Sequence, residues 1–145
     1  PWFIVSSVPE EARIIKMARD INDEKPQWVI EKVKEALADK QDAVVAALGI
    51  AFKNDIDDLR ESPSLNIVKQ LGQENPDLDI RVVEPNVSKL PDSLSAVPNL
   101  RKQDLHAAIA DASIILLLVN HKEFVEMDPT SFEGKTVIDT KGIWR

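Results

Sequence analysis

Two short apolar runs constrain this chain more than anything else in its sequence. Ala43-Val44-Val45-Ala46-Ala47-Leu48-Gly49-Ile50 and Ser113-Ile114-Ile115-Leu116-Leu117-Leu118-Val119 contain no charged residue. A strand with one wet face alternates apolar and polar residues. A run this continuous suits a strand covered on both faces, as in a parallel sheet. The segments around these runs read as helices and further strands. Ser62-Pro63 is an N-cap followed by a first helical residue, opening a helix with Leu65, Val68 and Leu71 inward. Ile80-Arg81-Val82-Val83 is a strand that stops at Glu84-Pro85. Residues 86–102 are polar, hold Pro91 and Pro98, and are expected to be loop. Leu105, Ala108, Ile109 and Ala112 mark another helix, a short one follows around His121–Val125, and Thr136-Val137-Ile138 is a last strand. Strands alternating with helical patterns predict an α/β fold, a Rossmann-like parallel sheet with helices on both faces.

The front of the chain has a different character. Pro9 suits a first helical position, and Glu10 and Glu11 suit the positive end of a helix. Ile14, Met17, Ala18 and Ile21 recur at helical spacing, Pro26 interrupts or restarts the helix, and Val29, Ile30, Val33 and Leu37 form a second stripe. The expected organisation is a helical segment over residues 1–40 and an α/β domain over 41–145.

Charge and cysteine usage exclude several function classes. The net charge over 145 residues is −7, which gives no electrostatic footprint for nucleic acid or an anionic membrane surface. An anionic ligand must therefore be held by a few locally placed cations. There is no cysteine and there are only two histidines, His106 and His121, which argues against disulfides, thiol nucleophiles and a zinc cage. No apolar run approaches the ~18 residues of a membrane span. The first residue is Pro1 rather than Met, and the simplest expectation is a soluble piece of a longer protein.

In a parallel sheet, ligands sit beyond the carboxyl ends of the strands, so the stretches to search are 51–61, 84–86, 120–121 and 139–142. Lys53, directly after a buried strand, can meet a phosphate as a point charge. Arg60, just before a helix, can offer a planar fork to an anion near that helix's N-terminus. The competing reading is a solvated loop in which Asp55, Asp57 and Asp58 pair with Lys53 and Arg60, and spacing alone favours it. Lys141 follows the last strand beside Gly142, which lets the backbone approach a ligand closely; the alternative is a surface lysine beside a turn. The only glycines are Gly49, Gly72, Gly134 and Gly142. None forms G-x-G-x-x-G, so these residues do not bind NAD in the usual Rossmann manner. Glu84 can accept from a ribose hydroxyl, but a turn carboxylate before Pro85 is the favoured reading. His121 is expected to cap a strand end or pack locally, His106 to lie at the surface, and Trp28 and Trp144 to pack rather than stack on bases. Two other classes fit the same skeleton. One is a response-regulator receiver, although Asn120-His121 stands where its phosphoacceptor aspartate belongs. The other is a structural or dimerisation module.

Several motifs taken together resemble the UDP-sugar dehydrogenases, the family of UDP-glucose dehydrogenase. They are Gly49-Ile50-Ala51-Phe52-Lys53 with Asp57-Asp58-Leu59-Arg60-Glu61-Ser62-Pro63, Ala18-Arg19-Asp20-Ile21-Asn22-Asp23 with Pro26, Val83-Glu84-Pro85-Asn86, and Val119-Asn120-His121. The opening Pro1-Trp2-Phe3-Ile4-Val5 and the ending Ile138-Asp139-Thr140-Lys141-Gly142-Ile143-Trp144-Arg145 are most similar to the branch acting on UDP-N-acetylmannosamine. The resemblance implies a cytoplasmic, NAD-dependent oxidation of a sugar C6 alcohol to a carboxylate in two hydride transfers, through a cysteine thiohemiacetal and thioester, for bacterial surface polysaccharide. It also implies an N-terminal NAD domain, a central helical domain with a homodimer interface, and a C-terminal domain that completes the UDP-sugar site. The cysteine and the NAD domain lie upstream of the matching segment, so this chain is expected to be inactive alone. Phe52, Lys53 and Lys141 match positions that contact the UDP-sugar substrate, and Arg60 matches one that reaches NAD. Relatives often carry Arg where Lys141 stands, so a point-charge contact replaces a bidentate one here.

Overall fold

A computed structural model of the chain describes residues 2–38, 40 and 42–144. Its core is a five-stranded, fully parallel sheet. The strands are β1 (Val44–Leu48), β2 (Asp79–Val83), β3 (Leu100–Lys102), β4 (Ile114–Leu117) and β5 (Thr136–Asp139), in the order β3-β2-β1-β4-β5. The two apolar runs are β1 and β4. They pair in the middle of the sheet, with Val45 opposite Ile114 and Leu48 opposite Leu117.

Each central strand feeds two cores because successive side chains point to opposite faces. Val45 and Ala47 of β1, with Ile114 and Leu116 of β4, join one cluster; Ala46, Leu48, Ile115 and Leu117 join the other. The first cluster is covered by α2 (Arg13–Leu37), α3 (Pro63–Glu74) and α4 (Asp92–Ser95), the second by α5 (Leu105–Asp111) and α6 (Lys122–Val125). The expected α/β sheet with helices on both faces is therefore present. Ser62 caps α3 through its hydroxyl, which accepts from Leu65 N–H at 3.3 Å, and Pro63 is the first helical residue.

Four local expectations are corrected. Pro9, Glu10 and Glu11 do not open a helix. They lie in a turn between α1 (Trp2–Ser7), which the sequence pattern did not reveal, and α2. Pro26 neither interrupts nor restarts α2, which runs through it for 25 residues. Proline removes one helical hydrogen bond at a cost of about 3 kcal/mol; burial of Val29, Ile30 and Val33 in the sheet cluster offsets this. Residues 86–102 are not all loop: they contain α4 and β3, held by buried Leu94, Val97 and Leu100. At three residues, with only Leu100 buried, β3 is too short to show a period. Finally, Ile14, Met17 and Ile21 form no core face. They are 84%, 64% and 62% exposed, and only the second half of α2 packs on the sheet.

Among the described residues, no helix is long and apolar enough to cross a membrane.

Candidate functional site

The sheet's carboxyl edge and α2 enclose a cavity of about 790 Å³, the size of a small-molecule site. The loop after β1 supplies Phe52, Lys53 and Asn54, the loop after β4 supplies Val119 and Asn120, and the turn after β5 supplies Thr140 and Lys141. The opposite wall is α2, with Arg19, Asn22, Lys25 and Pro26.

The sheet topology dictates where this cavity lies. β1 and β4 are neighbours, but the chain leaves β1 towards β2 on one side and reaches β4 from the other. The crossover loops therefore part at this point, which is where ligands settle in such sheets. Gly49 allows the close contact. Its φ is +86°, and a Cβ there would meet the Val119 Cβ at 2.5 Å.

Four cations line the cavity, Arg19, Lys25, Lys53 and Lys141, against two carboxylates, Asp23 and Glu61. In a chain of net charge −7 this is a marked local excess. Arg19 lies 3.8 Å from Asp23 and 5.9 Å from the Trp2 ring centroid. Its Nε is buried without a hydrogen-bond partner. The Lys53 ammonium sits 5.8 Å from the Phe52 ring centroid. Desolvation and the nearby charge of Lys25 hold Lys141 below the ordinary lysine range. A bound anion would relieve that repulsion.

Three of the four sequence-derived site residues, Phe52, Lys53 and Lys141, thus meet on one cavity. Arg60 does not line it. Its side chain is 88% exposed and bidentate to Asp58, with Nε and Nη2 donating at 2.9 and 2.8 Å. The guanidinium holds the Asp58 carboxyl down to about 2. The solvated-loop reading therefore describes Arg60 and Asp58, but not Asp55, which turns away to accept from Lys122 N–H at 2.9 Å.

The turn after β5 is organised by Asp139, which the sequence reading passed over. Its Oδ1 accepts from Lys141 N–H at 2.8 Å and Gly142 N–H at 2.7 Å, and its Oδ2 accepts from Trp144 N–H at 2.9 Å. An aspartate two residues before a Lys-Gly pair is the signal that could have revealed it. Burial opposes ionisation of Asp139, yet these backbone donors outweigh it and hold the carboxyl below its usual range. Arg19, Asn22 and Lys25 were also missed as lining residues; Arg19 and Asn22 stand in one of the family motifs, but nothing in the sequence lays α2 against the strand ends.

The remaining polar residues have structural roles. Glu84 is fully buried and accepts from Ile50 N–H at 2.8 Å, Ala51 N–H at 3.1 Å and Asn86 N–H at 3.1 Å, so no oxygen is offered to a ribose. His121 is fully buried against Glu84 and packs edge-on to Phe124, with ring centroids 5.4 Å apart. His106 is exposed on α5. Trp144 packs on Phe132 at 4.4 Å and donates to the Phe124 carbonyl, whereas Trp28 is half-exposed.

Residues 46–145 match the model of the UDP-glucose/GDP-mannose dehydrogenase family, UDP binding domain. The chain belongs to this family. That membership sets aside the receiver alternative. The chain is 42% identical over 144 residues to an NDP-N-acetyl-D-galactosaminuronic acid dehydrogenase of Ralstonia nicotianae, covering 99% of this chain and 33% of that protein. It is 49% identical over 127 residues to a UDP-N-acetyl-D-mannosamine dehydrogenase of Campylobacter jejuni, covering 88% of this chain and 31% of the relative. The solved UDP-N-acetyl-mannosamine dehydrogenase of S. aureus superposes with a TM-score of 0.75 at 30% identity, covering all of this chain and 33% of that one. The chain thus spans about a third of the length of these relatives. The cavity lining from Phe52 to Lys141 lies within the residues matched to that UDP binding domain, and the α2 wall lies outside them.

Proposed function

We propose that these 145 residues are the UDP-sugar-binding portion of an NAD-dependent dehydrogenase that oxidises the C6 hydroxyl of UDP-N-acetylmannosamine to the carboxylate, in the cytoplasm, for bacterial surface polysaccharide. Residues 41–145 form the UDP-sugar-binding domain, and residues 1–40 are a helical segment of a central domain. The exposed stripe of Ile14, Met17 and Ile21 fits the homodimer interface that the family resemblance implies, since apolar patches of this kind mark contact surfaces.

The observation that carries this reading is the crowding of Lys25, Lys53, Lys141 and Arg19 around one cavity in an acidic chain. Lys53 and Lys141 hold the diphosphate as point charges, and Phe52, 48% exposed at the mouth, lies against the nucleotide or sugar. Desolvated cations with an unmet charge stabilise an incoming anion more than hydrated ones do.

The resemblance also implies NAD, and these residues do not fit it. The glycine fingerprint is absent, and the carboxylate at the end of β2, Glu84, is taken by backbone amides. In this proposal NAD is held mainly by other parts of the enzyme, with exposed Arg60 reaching towards it, and the catalytic cysteine likewise lies elsewhere.

Titration of the isotope-labelled chain with UDP, followed by its N-acetylmannosamine, N-acetylgalactosamine and glucose conjugates, tests the site and its preference. Amide shifts centred on Phe52, Lys53 and Lys141 are expected. Shifts elsewhere, or none with any conjugate, would remove the cavity from the substrate site. Turnover of the intact enzyme on the N-acetylgalactosamine conjugate, with none on the mannosamine one, would move the assignment towards the Ralstonia relative.

A further inference from the structure

Glu84 and His121 are the two fully buried ionisable side chains among the described residues, and neither lines the cavity. Both bind the loop that carries Phe52 and Lys53. Glu84, just past β2, takes Ile50 N–H and Ala51 N–H on its Oε2. The same oxygen lies 3.1 Å from His121 Nε2. The other ring nitrogen, Nδ1, lies 2.9 Å from the backbone nitrogen of Asp55. The loop is thus tied immediately before and immediately after its exposed residues 52–54.

These partners specify one form of the ring. A backbone N–H only donates, so Nδ1 must present a lone pair. A carboxylate only accepts, so Nε2 must carry the hydrogen. Asn86 Nδ2, 3.1 Å from Nδ1, faces that same lone pair as a second donor. Charged groups facing the ring are the Glu84 carboxylate and Asp55, whose Oδ1 is 3.8 Å from Nδ1. Asp55 has φ +60°, a left-handed conformation that L residues adopt at a cost. It is held there by its N–H bond to His121 and by its carboxylate on Lys122 N–H.

We propose that His121, oriented by Glu84 as the neutral Nε2–H tautomer, is a positioning residue that sets Phe52 and Lys53 at the cavity mouth through the Asp55 amide. This deepens the proposed UDP-sugar site and rests on that reading for its functional consequence. His121 reaches no ligand itself and acts as neither acid nor base.

Two substitutions separate this role from simple core filling. His121→Asn places a carbonyl oxygen near the Nδ1 position and keeps an acceptor for Asp55 N–H. His121→Gln places its amide near the Nε2 position, keeping the Glu84 contact and losing the acceptor. In the Gln variant we expect Asp55 amide exchange to accelerate by at least about tenfold, Phe52 and Lys53 resonances to move, and UDP affinity to fall by about tenfold. The Asn variant should stay within about threefold of the parent on both scales. Equal loss in the two variants, or unchanged exchange and resonances in Gln, would overturn the proposal. Nitrogen-15 imidazole spectra of the unaltered chain need no variant. An Nδ1–H tautomer, or a doubly protonated ring at neutral pH, would also overturn it. If the unaltered chain fails to bind UDP, the site reading falls, while the exchange, resonance and tautomer measurements still decide the role of His121.

Discussion

Gly49→Ala tests the junction on which the cavity depends. Gly49 leaves β1 at φ +86°, donates to the Val83 carbonyl at 2.9 Å, and faces Val119 so closely that an added Cβ would lie 2.5 Å from its Cβ and 3.0 Å from its N and O. Two of those three contacts are backbone, so no rotamer change relieves them. The left-handed conformation costs an L residue roughly 1–2 kcal/mol, and overpacking a tight core adds about 1–3 kcal/mol. The reduced freedom of alanine in the unfolded chain returns about 0.4–1 kcal/mol. The net loss is about 1–5 kcal/mol, with a midpoint equivalent to roughly 10 °C in Tm for a chain this size. Urea unfolding followed by circular dichroism at 222 nm reads the loss directly, with an unchanged m-value expected. Relief of the clash also moves the exit of β1 away from β4, so UDP affinity should drop with stability. A loss below about 0.5 kcal/mol, within the range of ordinary surface substitutions, would show that β1 and β4 separate freely here and that the steric argument is wrong.

Other perturbations address the charges. Lys53→Ala should weaken UDP binding by about five- to tenfold and flatten its salt dependence, as calorimetry at two ionic strengths would show; an unchanged affinity would remove Lys53 from the site. Because Lys141 is held below the ordinary lysine range, it deprotonates earlier than a free lysine as pH rises. UDP affinity should therefore decline at alkaline pH before the normal lysine range is reached, with proton uptake on binding, and Lys141→Arg should abolish the decline. Burial opposes ionisation of Glu84, yet the bonds from His121, Ile50 and Asn86 prevail and hold its carboxyl below the usual 4.5. The stability it contributes is present above that value and is lost as pH falls through the lowered one. Glu84→Gln sets an amide hydrogen against backbone donors and should cost about 2–3 kcal/mol at neutral pH while removing that acid dependence in urea titrations. In the intact enzyme, Arg60→Ala should impair use of NAD more than of the UDP-sugar; the opposite pattern would exchange the roles proposed for the two sites.

The strands β1 and β4, the Ser62-Pro63 start of α3 and the lysines after β1 and β5 were legible in the sequence because each rests on local chemistry. A strand buried on both faces must be apolar throughout, a cap must accept from a helix N-terminus, and a residue after a buried strand must emerge at the sheet edge. Several of the family motifs lay in these same segments, and others in α2 and in the turn after β2. Tertiary structure decided the rest. Ile14 and Val29 lie on one helix with similar apolar character, yet one is exposed and the other buried, because only the second half of α2 rests on the sheet. Arg19 and Lys25 became cavity residues when that packing laid α2 across the strand ends. Glu84 reads as a turn carboxylate, but it points inward because three backbone amides, together with a histidine 37 residues away, converge on it. Periodicity and capping act over a few residues, so sequence reports them. Which cations share a cavity, and which buried carboxylate is satisfied, depend on segments distant in sequence that only the packed sheet brings together.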